Sequence, residues 1–169
     1  RPPRSTLFPY TTLFRSQAHL SLSEQIKAHS CDRVYQAVVY GRMKEPEGRV
    51  DAPIGRNPLE RKEMCVTAKN SKEAVTNYRV LQEYEGFSHL ELRLETGRTH
   101  QIRVHMAYLG HPVAGDPVYG PKKVIKSLEG QCLHAKSIAF DHPVTGERMR
   151  FDSELPAYFT DFLRTLRPL

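Results

Sequence analysis

No stretch of this sequence stays apolar long enough to cross a bilayer, so a transmembrane helix is excluded. The opening residues have no apolar core and no small-residue cleavage site, and no secretory signal is read there. Cysteine is scarce: Cys31, Cys65 and Cys132 are three, widely spaced, and no C-x-x-C pair occurs. A zinc site built on cysteine is therefore not expected. The simplest expectation is reduced thiols in a cytoplasmic protein, each a small buried or half-buried residue. There is no internal repeat and no low-complexity tract, so a repeat array is excluded as well.

What is present is the composition of an ordinary soluble globular protein, with 39% hydrophobic and 26% charged residues. A length of 169 residues fits one domain and can bury a real core. The charge is lopsided: 25 Lys and Arg stand against 19 Asp and Glu, giving a net charge of +6. That favours an anionic partner, of which nucleic acid is the commonest, although many small cytosolic proteins are equally basic.

Residues Arg1 to Ser16 stand apart. They hold three of the twelve prolines and show neither helical nor strand periodicity. The stretch from Leu7 to Ser16, LFPYTTLFRS, is what DNA resembling a common sequencing-adapter oligonucleotide encodes. Residues 1–16 are therefore expected to be a translated artefact with little packed contact, and the fold is read from residues 17–169.

Ala18 to Ala28 reads as a helix, with Leu20, Leu22 and Ile26 on an imperfect apolar face and N-cap oxygens on Ser21 and Ser23. Arg33 to Tyr40, rich in β-branched and aromatic residues, reads as a strand. A short strand is expected over Arg49 to Ile54, closed by Pro53 and Gly55, and another over Glu63 to Ala68. Ala74 to Tyr84 and Phe87 to Glu95 form the clearest hairpin, turning at Glu85-Gly86. There Leu90, Leu92 and Leu94 alternate with His89, Glu91 and Arg93, which predicts one buried and one wet face. Thr99 to Leu109 reads as a helix with Ile102, Met106 and Leu109 as its core stripe, and His111 to Gly120 as a Gly/Pro-rich loop. Cys132 to Phe140 and Arg148 to Phe151 are read as strands around a turn at Pro143 to Gly146. Pro156 opens an amphipathic helix carrying Tyr158, Phe159, Phe162, Leu163 and Leu166. The expected fold class is α+β: a mixed, mostly antiparallel sheet with a few flanking helices.

The chemistry concentrates at Glu95-Thr96-Gly97-Arg98-Thr99-His100-Gln101-Ile102-Arg103-Val104-His105, where a core strand hands over to a helix. Free backbone N–H groups at a helix start, with Arg98 alongside, suit a phosphate. Arg103 lies one turn inside the helix beside the apolar stripe, where a cation needs a partner unless that face is solvated. A metal site on His100, His105 and His111 is not expected: the first two are five apart, off a common helix face, and no carboxylate completes a set.

The run from Glu95 to Gly120, ETGRTHQIRVHMAYLGHPVAGDPVYG, resembles the central motif of RNA pseudouridine synthases of the RluA/RluD type. Around it, Arg33 to Gly41, Asp51 to Arg56, Lys72 to Thr76, Gln131 to Ala135 and Asp141 to Gly146 resemble that family's other segments in the family's order. The resemblance covers roughly residues 17 to 167 and implies a pseudouridine synthase catalytic fold. It also implies isomerisation of uridine in RNA, with large-subunit ribosomal RNA favoured as substrate. The glycosidic bond is broken, the base turns, and C5 is joined to the ribose, with no cofactor and no metal. The target nucleotide must leave its stack to be reached.

Carried onto this chain, the resemblance makes Tyr35 the tyrosine beside the target base, offering a ring to stack on and a hydroxyl for proton transfer. Arg103 becomes the arginine that holds the catalytic aspartate ionised, and Leu133 a leucine packing against the base. Arg98, Thr99, His100 and Gln101 fall to RNA-backbone or structural duty. The family's nucleophilic aspartate, in a motif like H-R-L-D-x-x-T-S-G, has no counterpart: Asp32, Asp51, Asp116, Asp141, Asp152 and Asp161 all lack an R-L-D context. Asp116, in the loop, matches only a structural aspartate of the family. The motif belongs ahead of Ala18, and the family's S4-type RNA-binding domain is not among these residues either. The expectation is a partial catalytic domain over residues 17–169, monomeric, cytoplasmic, RNA-binding and inactive as written. The alternative is a non-catalytic RNA-binding module of the same fold.

Overall fold

The computed structural model describes residues 9–60, 62–123, 125 and 127–169, with side chains from residue 17 onward. Helix α1 spans Pro9–Lys27, followed by strands β1 (Asp32–Tyr40), β2 (Glu47–Asp51), β3 (Ile54–Arg56), β4 (Met64–Val66), β5 (Ser71–Lys72), β6 (Val75–Tyr84) and β7 (Phe87–Leu94). Helix α2 (Gln101–Tyr108), strands β8 (Leu133–Asp141) and β9 (Arg148–Asp152) and helix α3 (Ala157–Thr165) complete it. Two sheets form, a six-stranded one in the order β2-β6-β7-β1-β8-β9 and a three-stranded one in the order β4-β3-β5. The strands pair antiparallel, and the fold is α+β as the alternating patterns predict.

The alternation of β1 and β7 explains the core. On one face Ala37, Val39, Leu90 and Leu92 are buried, and α2 lays Ile102 and Met106 onto them. On the other face Val38 meets Phe159 and Phe162 of α3. At about 25 cal/mol per Å² of apolar surface, each buried aromatic or aliphatic side chain contributes about 1.5–3 kcal/mol.

Four expectations need correction. The helix expected at Ala18 runs unbroken from Pro9, so its start lies inside the segment set apart as irregular; the side chains of residues 1–16, Phe8, Tyr10 and Phe14 among them, lie outside the described residues. The strand read over Arg49 to Ile54 is two strands in two sheets. Pro53 has no N–H to donate to a ladder, so the chain breaks at Ala52-Pro53, and Gly55 lies inside β3 instead of closing it. Leu109 is not a core residue: α2 ends at Tyr108 and leaves Leu109 36% exposed. The polar face of β7 is wet only toward Arg93, because α3 covers His89, which is 8% exposed with its ring 5.5 Å from Phe159.

His89 has a measurable consequence. Its Nε2 donates to Gln36 Oε1 at 2.9 Å, and burial pushes its pKa down to about 4. A histidine with a depressed folded pKa contributes stability above its unfolded pKa, about 6.5, and that contribution is lost as pH falls toward the folded value. The stability difference between pH 7 and pH 4.5, from urea melts, should shrink by about 2 kcal/mol in His89→Gln relative to the parent. An unchanged difference would show that His89 charges freely in the fold.

Candidate active site

Tyr35 sits where β1 is irregularly paired. Val34 faces Ser137 on β8 but Tyr35 faces Ala135, so Lys136 is an extra residue and the ladder bulges beside the tyrosine. Bulges of this kind re-aim side chains and are common beside active sites. An open cleft of 260 Å³ lies here, lined by Arg33, Tyr35, Ala135, Ser137, Ile138 and Phe151 among others. Ile138 is 39% and Phe151 51% exposed, so the cleft has an apolar wall reachable from solvent. Leu133 faces Ala37, two pairs beyond Ala135, and packs with Tyr35 against the core cluster that holds Ile102 and Met106.

Arg103 lies on α2 and is buried, not on a solvated helix face. Its carboxylate partner is Asp116, which the sequence left as a structural loop residue. Arg103 Nε donates to Oδ2 at 2.6 Å and Nη2 to Oδ1 at 2.8 Å, a bidentate pair. Oδ1 also accepts the backbone N–H of Val118 at 2.9 Å and of Tyr119 at 3.0 Å, an Asx turn. Burial acts to raise the Asp116 pKa, but the Arg103 guanidinium and the two N–H groups outweigh it and hold the carboxyl below its ordinary value. Gly115 makes this possible: its φ is +73°, and a Cβ there would come within 2.4 Å of the Gly130 carbonyl oxygen. The Arg103 Cζ stands 5.0 Å from the Tyr119 ring centroid, and the Tyr119 hydroxyl is 2.9 Å from His100 Nδ1. His100, Arg103, Asp116 and Tyr119 are thus one cluster.

The motif's helix start differs from the expectation. His100 adopts a left-handed conformation with φ 56°, and α2 begins at Gln101 instead of Thr99. Gln101, read from the resemblance as an RNA-facing or structural residue, is 2% exposed and spends its amide inside the protein. Its Oε1 accepts from Arg98 N at 2.9 Å and from Thr96 Oγ1 at 2.7 Å, while Nε2 donates to Val75 O and Thr76 Oγ1. It has no group left for a substrate and instead pins α2 to β6. The network continues through His105, whose Nδ1 accepts from Thr76 Oγ1 and whose Nε2 donates to Ala52 O, both at 2.9 Å. Burial lowers the His105 pKa, consistent with this neutral tautomer. His111 Nδ1 bonds to Tyr40 O instead, so the three histidines have separate partners. Arg98 and Thr99 line a different groove, with Lys72 and Arg56.

Cys31 and Cys132 are buried and Cys65 half-buried, all free, and burial pushes the Cys132 pKa up to about 12. Among the described residues no helix is long and apolar enough to cross a membrane.

The sequence profile of the RNA pseudouridylate synthase family matches residues 14–108. An uncharacterised RNA pseudouridine synthase of Bacillus subtilis, YlyB, is 48% identical over 150 residues, 89% of this chain and 49% of that protein. Ribosomal large subunit pseudouridine synthase D of Pseudomonas aeruginosa is 42% identical over 163 residues, 89% of this chain and 50% of its own length. The chain therefore spans about half the length of these curated relatives. The solved structure of human RNA pseudouridylate synthase domain containing 1 superimposes with a TM-score of 0.71 at 30% identity, covering 88% of this chain and 64% of that one.

Proposed function

The chain belongs to the RNA pseudouridine synthase family, and from that premise we propose that it serves the isomerisation of uridine to pseudouridine in RNA, with large-subunit ribosomal RNA as substrate. The observation that carries this reading is the placement of Tyr35 at a bulge in an open, partly apolar cleft, within the motif order of the family. In this reading the flipped uracil stacks on the Tyr35 ring. The Tyr35 hydroxyl moves a proton to or from the base, and Leu133 backs the pocket. Asp116 holds Arg103 by Nε and Nη2, which leaves Nη1 to meet the nucleophilic carboxylate. Arg98, Thr99 and His100 serve the RNA backbone, and Gln101 positions them from behind. The domain acts as a monomer in the cytoplasm and calls on no metal or cofactor.

The nucleophile is not among the residues of this chain, so the polypeptide as written is inactive in this reading. The alternative, a non-catalytic RNA-binding module, is favoured by the lack of an R-L-D context at all six aspartates.

The test uses a chain carrying an H-R-L-D-x-x-T-S-G segment ahead of Ala18. Tyr35→Phe in that chain should slow single-turnover pseudouridine formation by about 10²-fold or more while RNA affinity stays within about twofold. A Tyr35→Phe chain as fast as its parent would remove Tyr35 from the reaction. A completed chain that binds RNA, is folded and never turns over would favour the binding module.

A further inference from the structure

The small sheet meets the site described above at Met64, whose N–H donates to the Tyr119 hydroxyl at 2.9 Å, and its own face is built with care. Arg56 ends β3, and the turn between β4 and β5 folds back over Gly55. A Cβ on Gly55 would stand 2.8 Å from Thr67 Cγ2 and 2.9 Å from the Asn70 carbonyl oxygen, so only glycine lets the turn close this tightly. Asn70 takes a left-handed conformation, φ 47°, and the Lys69 N–H donates to Thr67 Oγ1 at 3.2 Å. The turn therefore holds Lys69 and Lys72 on a fixed frame, both exposed.

Two grooves that share Arg56 and Asn70 flank this sheet. One of 580 Å³ is lined by Arg56, Lys72, Gly97, Arg98 and Thr99 among others, and one of 660 Å³ by Arg56, Thr67 and Lys69 among others. Among the described residues four cations line them and no carboxylate does. Among the described residues Lys69 and Lys72 have no ion-pair partner. Arg98 spends its Nε on the Glu73 backbone carbonyl at 2.8 Å and forms no ion pair among the described residues. The contrast lies on the large sheet, where the arginines of another groove, Arg79 and Arg93, share the carboxylate of Glu91, both at 3.3 Å. Lys69 and Lys72 would attract an anion more strongly than Arg79 and Arg93, whose charge the Glu91 carboxylate already offsets in part.

We propose that the small sheet and the 97–99 loop form a clamp for the phosphodiester backbone of RNA, with Lys69 and Lys72 each taking a phosphate of the strand flanking the modified uridine. The proposal rests on the RNA-directed reading given above and deepens it. The helix start of α2 supplies less than its position suggests, since Arg98 N and Gln101 N are already bonded within the protein. The side chains of the small sheet bring the charge that those N–H groups do not.

The test is binding of the 169-residue chain to a uridine-loop RNA hairpin across a salt series, for the parent, for Lys69→Gln/Lys72→Gln and for the control Arg79→Gln/Arg93→Gln. The first double variant should weaken binding by about tenfold near 0.1 M salt and lower the slope of log K against log salt by about 1–2, since each phosphate contact contributes about 0.7–0.9. The control should shift affinity by less than about twofold. Both lysines are exposed, so a folding defect is checked by an unchanged thermal midpoint; Lys69→Arg/Lys72→Arg, which keeps the charge, should restore binding. A parent that binds with a steep salt slope, together with a groove variant that matches it, would overturn the clamp and leave the RNA reading standing. A parent that fails to bind the hairpin at all would overturn both.

Discussion

Asp116→Ala should cost the domain about 3–5 kcal/mol, the loss typical when one partner of a buried ion pair is removed. The Asp116 side chain is fully buried and the Arg103 side chain is 10% exposed. Without the carboxylate, Arg103 keeps its charge on α2 beside the Tyr119 ring, and the Val118 and Tyr119 N–H groups lose their acceptor as well. Asp116→Asn keeps the turn's acceptor and loses only the charge, so it should fall between the parent and the alanine variant. A paired substitution, Arg103→Met with Asp116→Ala, should cost less than the two single losses added, because the stranded cation is gone. The acid limb carries a further sign. Asp116 has a folded pKa below its ordinary 3.8, so its contribution is complete above that value and is lost as pH falls through the folded pKa. Urea melts at neutral pH decide the matter. A loss below about 1 kcal/mol for Asp116→Ala would mean that water replaces the carboxylate without difficulty.

Much of this fold is legible in the sequence. Leu90, Leu92 and Leu94 announce β7 by their spacing, Glu85-Gly86 announces its hairpin, and Pro156 announces α3. What escapes is long-range. The burial of His89 depends on where α3 docks, and no period in β7 reports that. Asp116 looked like a loop residue, although an arginine beside an apolar stripe and an acid in a Gly/Pro loop thirteen residues on were a signal for the pair. The left-handed His100 is a single non-glycine residue held by tertiary contacts, chiefly Tyr119, and local propensity does not encode it. Strand β5 has two residues, too few for any pattern. Of the candidate site, the resemblance singled out Tyr35, Arg103 and Leu133, but the bulge beside Tyr35 is a matter of register between β1 and β8 and is invisible in either strand alone.

The other large effect concerns turnover. In the reading proposed above, breaking and remaking the bond at the sugar needs a carboxylate that takes part in it, and general electrostatics do not substitute for it. None of the six aspartates present stands in the R-L-D context. The deciding measurement is tritium release from RNA labelled at uridine C5. It is run on the 169-residue polypeptide and on the same polypeptide carrying an H-R-L-D-x-x-T-S-G segment ahead of Ala18. The polypeptide as written should release nothing above background, and the completed one should turn over with an enzyme-like acceleration of about 10⁶-fold or more. Release by the polypeptide as written, abolished by changing one of its own aspartates, would contradict the account.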